Sequence, residues 1–228
     1  AVVDLLESAL GSLNTIHNLG KNNQLLNSLP NLGSSRHWIT TFVGAADKLG
    51  IQQKLPTPTL NYEKLANLLT VEQPTFIKWD ARPGNAVVRE NGSVIWIDWE
   101  HCGKRHPLDD VAWLLTDEFT PYLPDQENDL ITKILPAFAH GFSQDQALEY
   151  LRVYGTFHAC IRLSMILKYW AKDGWWDFDY CLEFDKVGVV KSLAVDTVKK
   201  LSAWSQFSEL TMALKPWSEE LAAKLLEQ

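Results

Sequence analysis

Apolar side chains recur at the helical period from the start of the chain. Val3, Leu6, Leu10, Leu13 and Ile16 fall on one stripe, which predicts a helix from residue 1 to about 18 with Gly20 as its stop. A polar stretch follows, carrying Asn22, Asn23, Pro30, Asn31, Gly33, Ser34 and Ser35. Further helices are expected at about 35–48, ended by Gly50, and at about 61–69. The pattern changes after Pro74. Residues 75–77 are short and β-prone, and residues 86–89 and 94–97 are two β-rich runs flanking Glu90-Asn91-Gly92-Ser93. Asn-Gly between such runs predicts a hairpin with a type I′ turn, which needs positive φ at both central residues. From Leu108 onward the period is helical again, near 108–116, 126–140, 144–170, 186–206 and 217–226, with breaks at Pro121, Pro124, Gly141, Gly174 and Pro216. The expected fold is α+β, mainly α: leading helices over 1–73, a hairpin region over 74–107, and a helical body over 108–228.

Composition narrows the function classes. Apolar residues make up 46% and charged residues 21%, ordinary globular usage, which argues against a disordered or fibrous chain. With 228 residues the chain can bury a core without disulfides or metal staples. The net charge of −7 disfavours nucleic acid as a partner, because phosphate neutralisation needs a surplus of Lys and Arg. Cys102, Cys160 and Cys181 are odd in number and lack C-x-x-C spacing, which argues against a disulfide framework and a Cys-rich zinc module. No apolar run approaches a membrane span, and no basic-then-apolar leader pattern opens the chain, so no membrane partner and a reduced, cytoplasmic setting are expected. The chain opens at Ala1 directly inside an apolar-periodic segment, as a portion of a longer protein would.

The candidate chemistry lies in Lys78-Trp79-Asp80-Ala81-Arg82-Pro83-Gly84-Asn85, the hairpin, and Ile97-Asp98-Trp99-Glu100. With the turn at Asn91-Gly92, Arg89 is expected to face Val94, Val87 to face Trp96, and Asn85 to face Asp98. Directly opposed residues in an antiparallel pair point to the same side. That register sets an amide and a carboxylate side by side at the open end of the hairpin, with Asp80 one tight loop away. Such an oxygen-rich set suits Mg²⁺, which retains water or phosphate oxygens in its shell. Taken singly, each of these residues reads rather as a capped turn than as a ligand.

This stretch, with Pro107-Leu108-Asp109-Asp110-Val111-Ala112 after it, resembles the aminoglycoside phosphotransferase and choline kinase family, whose fold is protein-kinase-like. The match covers roughly residues 76–113. The resemblance implies transfer of the γ-phosphate of ATP to a hydroxyl of a small molecule, such as a cationic amino alcohol or an aminoglycoside. It implies Asp80 as the base that orients or deprotonates the acceptor, Asn85 and Asp98 as holders of Mg²⁺ against the nucleotide, and Asp110 as a brace for the loop. Arg82 could touch phosphate or bridge to a carboxylate. The family's usual His two residues before the catalytic Asp is Lys78 here. No Gly-rich loop or strand lysine precedes the match, so this chain is expected to be the large C-terminal lobe alone, without the nucleotide-covering lobe and inactive by itself. The rival from another class is a non-catalytic kinase-like binding or scaffold module.

Three further clusters attract notice. His101, Cys102 and His106 follow no zinc-ligand spacing and read as a solvated loop. Trp175, Trp176, Asp177 and Asp179 mix aromatic faces with carboxylates and could hold a cationic acceptor; the alternative is that the rings plug a gap between helices while the aspartates face water. His158, Cys160 and Met165 sit among Tyr154, Phe157, Ile161, Leu163 and Ile166 and read as core. The acceptor's identity and the oligomeric state are not encoded legibly.

Overall fold

The computed structural model describes residues 2–21 and 24–227. Ala1, Asn22, Asn23 and Gln228 lie outside the described residues, as does the side chain of Leu25. The chain opening at Ala1 and the two asparagines of the polar stretch therefore fall outside the description. The described residues form a mainly helical body with two small antiparallel two-stranded sheets.

Helix α1 (Val2–Lys21) buries Leu6, Ala9, Leu10, Leu13 and His17 along the stripe set by the apolar period. It runs through Gly20 rather than stopping there. A Cβ at Gly20 would meet the Phe76 ring at 2.6 Å, so the glycine serves close approach to the sheet. The helix expected at 35–48 is two helices, α2 (Arg36–Val43) and α3 (Ala45–Gln53), meeting at Gly44. Gly50 does not end α3, which closes at the left-handed Lys54. Helix α4 (Tyr62–Leu68) begins at Asn61, whose side chain accepts the Lys64 N–H as an N-cap.

Strand β1 (Thr75–Ile77) pairs with β4 (Gly103–Arg105), and β2 (Ala86–Val88) pairs with β3 (Val94–Trp96). Helix α5 (Leu108–Thr116) follows, buried almost all round, then α6 (Pro124–Phe138). The centre of the body is α7 (Gln144–Asp173), opened by a Ser143/Gln146 capping box and closed at the left-handed Gly174. Its middle is buried on every face because α3, α5 and α9 (Lys191–Ser205) surround it. Gly155 lets α9 come close: a Cβ there would lie 2.1 Å from the Trp204 ring. A short α8 (Phe178–Glu183) and a C-terminal α10 (Leu214–Glu227) complete the body. Among the described residues, no helix is long and apolar enough to cross a membrane, and Cys102, Cys160 and Cys181 are free thiols.

Buried charges are paired, as burial requires. Arg105 meets Asp109 at 2.5 Å and donates to the carbonyls of Gly33 and Leu69, tying β4 to the leading helices. Beyond the C-terminus of α5, Glu118 takes two 2.6 Å hydrogen bonds from Arg162 and accepts the Gly188 N–H. Lys200 donates to the Asp117 and Thr120 carbonyls in the same cluster.

Candidate functional site

The loop carrying Asp80 is held from behind by Asp110. Its side chain, fully buried in the first turn of α5, accepts the Lys78 N–H at 2.7 Å and the Trp79 N–H at 2.8 Å, and meets His17 Nε2 of α1 at 2.7 Å. These bonds fix a backbone that then takes two successive left-handed residues, Trp79 (φ 56°) and Asp80 (φ 52°). Neither is glycine. Such conformations persist where surrounding structure over-determines them. The result turns the Asp80 side chain off the core and toward a cavity.

Asn85 closes the same loop. Its Nδ2 donates to the Asp80 backbone carbonyl and to Asp80 Oδ2, both at 2.9 Å. With both amide hydrogens spent on Asp80, Asn85 Oδ1 is left as an acceptor. Asp98 stands at the end of β3 with φ 56°, exposed, and its carboxylate accepts no hydrogen bond among the described residues. Lys78 links the two aspartates: its Nζ donates to the Asp80 carbonyl at 3.2 Å and to the Asp98 carbonyl at 2.9 Å. Burial lowers the lysine's pKa, and the Asp110, Asp80 and Asp98 carboxylates oppose that shift.

The hairpin register differs from the expected one. Ala86 faces Trp96, Val87 faces Ile95 and Val88 faces Val94, while Asn85 accepts the Ile97 N–H; so Val87 does not face Trp96, Arg89 does not face Val94, and Asn85 does not face Asp98. The turn is the reason. Arg89 pairs with Ser93 around a three-residue loop in which Gly92 (φ 78°) is left-handed and Asn91 is not, so the type I′ turn gives way to a turn ending in a glycine bulge. The Asn91 side chain instead accepts from the Ser93 N–H and hydroxyl. A one-residue slip exchanges the faces of a strand. Asp98 is thus not the cross-strand partner of Asn85 but the residue after that partner, and its left-handed turn and the Lys78 bridge bring its backbone to the Asp80 loop.

A cavity of about 340 Å³ opens beside Asp80. Trp38, Phe42, Trp79, Trp113 and Tyr154 form aromatic walls, joined by Ile161, Met165 and Val187. Trp79 lies between Trp38 and Trp113, with ring centroids 5.8 and 6.0 Å away. Asp80, Arg82 and Asp185 are the charged groups nearest solvent. Arg82 donates to Asp185 at 2.8 Å, with its Nε 3.7 Å from Asp80 Oδ1, so it bridges carboxylates across the opening. The Glu118–Gly188 bond holds the segment carrying Asp185. Beneath the walls, His158 is fully buried, bonded to Thr116 at 2.7 Å and pushed down to about 3 by burial, so its imidazole stays neutral. Met165 lines the cavity rather than filling core. A larger cavity of about 580 Å³, bounded by Asn67, Glu72, His106, His140 and Gln146, shares no lining residue with this one and none of its carboxylates.

The structure brings Asp80, Asn85, Arg82 and Asp110 together and ties Asp98 to them through backbone. It does not bring Trp175, Trp176, Asp177 or Asp179 to the cavity. Trp175 packs on Trp170 against the core, Trp176 contacts Tyr169 and Tyr180, and Asp177 caps α8 by accepting the Tyr180 N–H; Asp179 sits on that short helix. His101 is exposed beside Glu100, whereas His106 is buried under Phe142, so the expected solvated loop holds for the first and fails for the second. Residues 103–105 of that loop are strand β4. Among the described residues, no three His, Cys, Asp or Glu side chains are grouped to hold a metal. The donors that fit one are fewer and of mixed type: Asn85 Oδ1 and the Asp98 carboxylate. Oxygen donors of this kind suit a hard cation that takes most of its shell from water and phosphate. The aromatic walls gave no sequence signal, because Trp38, Trp79, Trp113 and Tyr154 come from four separate segments. The chain matches no protein-family model, no curated protein and no solved structure.

Proposed function

We propose that this chain handles the acceptor and the phosphate in an ATP-dependent phosphotransferase acting on the hydroxyl of a small molecule. The observation that carries the reading is the placement of Asp80, which lines an aromatic cavity while its Oδ2 is held by Asn85. An acceptor in the cavity would present its hydroxyl to Asp80. The carboxylate orients the oxygen and takes its proton as the new O–P bond forms and the bond to the departing ADP breaks. Asn85 Oδ1 and Asp98 would hold Mg²⁺, which when bound neutralises and orients phosphate oxygens. Positioning and charge neutralisation are the main demands of this chemistry. Arg82, resting between Asp80 and Asp185, would be the cation that meets the transferred phosphate.

The cavity's walls support a small amino alcohol over a polyhydroxylated aminoglycoside. Aromatic faces attract a cationic nitrogen, while they offer few partners to a ring of hydroxyls. On the outward face of the hairpin, Val87, Ile95 and Ile97 share one side with Asn85, and Val87 and Ile97 are about half exposed. That apolar strip beside the oxygen donors suits the flat face of a purine.

The test is phosphate transfer from labelled ATP to ethanolamine, choline and homoserine by the complete protein. Asp80→Ala is expected to lower turnover about 10³-fold while nucleotide affinity changes little. Near-normal transfer by Asp80→Ala would remove the catalytic assignment. A wild-type protein that Mg-ATP does not stabilise against heat would favour the non-catalytic module.

A further inference from the structure

Lys78 stands where the family this chain resembles usually has histidine, and its surroundings are specific. The side chain is fully buried. Its ammonium lies 5.8 and 5.6 Å from the ring centroids of Trp96 and Trp99. The two carbonyls it binds belong to Asp80 and Asp98, each a non-glycine residue in the left-handed region. Left-handed backbone is disfavoured for such residues by contact between Cβ and the carbonyl oxygen. Two turns of this kind, one on each side of the site, thus share a single hydrogen-bond donor.

The chemistry of the side chain matters here. An ammonium has three N–H donors on one nitrogen and reaches two converging carbonyls at once. An imidazole directs its nitrogens to opposite sides and offers one donor to the pair. Asp110 fixes the same loop through backbone N–H groups of residues 78 and 79, so it sets where the loop begins. It does not touch Asp98. Among the described residues, only the hydrogen bonds of Lys78 join the Asp80 turn directly to the Asp98 turn.

We propose that Lys78 is a positioning residue that sets the spacing between the catalytic-loop aspartate and the aspartate at the end of the hairpin. The clamp stands on geometry alone; its consequence for metal and phosphate rests on the phosphotransferase reading. Lysine in place of histidine is then an alternative way of joining the two turns, and not a mark of lost chemistry.

The test uses the whole chain labelled with ¹⁵N. The amides of Ala81 and Trp99 share their peptide planes with the two bonded carbonyls and report directly on the clamp. Lys78→Met is expected to shift both amides, and Lys78→Arg to leave them close to wild type. Lys78→His, with one donor for the pair, is expected to shift one and keep the other, and it keeps the proposal testable should Lys78→Met fail to fold. Lys200→Met, which removes a buried lysine of the same kind elsewhere, should leave both amides in place. Unmoved Ala81 and Trp99 signals in Lys78→Met or Lys78→His would overturn the clamp. Mn²⁺ titration then separates the two readings. Broadening of the Asn85 side-chain amide and the Trp99 amide at one midpoint, weakened about tenfold in Lys78→Met as for loss of an outer-shell support, supports the positioning role. Broadening of equal midpoint in wild type and Lys78→Met would overturn that role. No broadening in wild type, with the amide shifts still present, would leave the clamp and remove the metal reading.

Discussion

Two buried lysines show how one device serves different ends. Lys78 and Lys200 both lie out of solvent, both donate to two backbone carbonyls, and both are ringed by carboxylates. In the body, Lys200 binds the carbonyls of Asp117 and Thr120 beside α5, and burial brings its pKa down to about 8. Its neighbour Asp117 is pushed up to about 7 by burial and by Glu118, while Arg162 holds Glu118 below its usual value against its own burial. Here every charge is enclosed and answers another charge. At the candidate site the enclosed part is the backbone. Lys78 and Asp110 grip main-chain atoms from inside, and the Asp80 and Asp98 carboxylates are left facing a cavity and solvent. The body spends its buried ions on cohesion, and the site spends them on shape.

Breaking the body's network should have the largest effect. Arg162→Met leaves Glu118 and Asp117 enclosed without their guanidinium, and a loss of about 3–5 kcal/mol in urea-unfolding stability is expected. The Ala81 and Trp99 amides should hardly move. Asp110→Asn comes next: an amide offers one acceptor oxygen to two N–H groups and His17, so a loss of about 2 kcal/mol is expected. This smaller loss should be accompanied by large shifts at Lys78 and Trp79. If Arg162→Met moved the site amides as much as Asp110→Asn does, the division between the regions would fail.

Acid gives a subtler probe of the body. The His158 imidazole, held near 3, contributes stability that is complete above the unfolded value of about 6.5 and is lost as pH falls toward 3. Asp117 works in the opposite sense, because its raised pKa contributes stability below about 3.8 that is lost as pH rises through about 7. Between pH 7 and 5 the two nearly cancel. Asp117→Asn removes one arm, so this variant should lose about 2 kcal/mol more than wild type over that interval, read by denaturant melts at each pH. Parallel pH curves for the two proteins would contradict the opposing pair.

The elements were legible where local pattern decides them. The stripe on α1, the cap at Asn61 and the start of α5 after Pro107 are written in adjacent residues. The hairpin was legible but its register was not, since Asn-Gly serves a two-residue turn or the last two positions of a three-residue one, and only the Arg89–Ser93 pairing chooses. Strand β4 carries Gly-Lys-Arg and exists because β1 lies beside it, a contact that no local preference announces. For the site, Asp80 and Asn85 stood out by spacing, and Asp110 through the resemblance alone. The aromatic cavity did not, whereas the conspicuous string at 175–179 turned out to pack and cap locally.

Helix α5 has a mechanical consequence. It carries Asp110 in its first turn and Glu118 just past its last, and through them it supports the Asp80 loop on one side of the cavity and the Asp185 segment on the other. Both jaws are therefore mounted on a single short rod. A slide of that rod would move both jaws in the same direction.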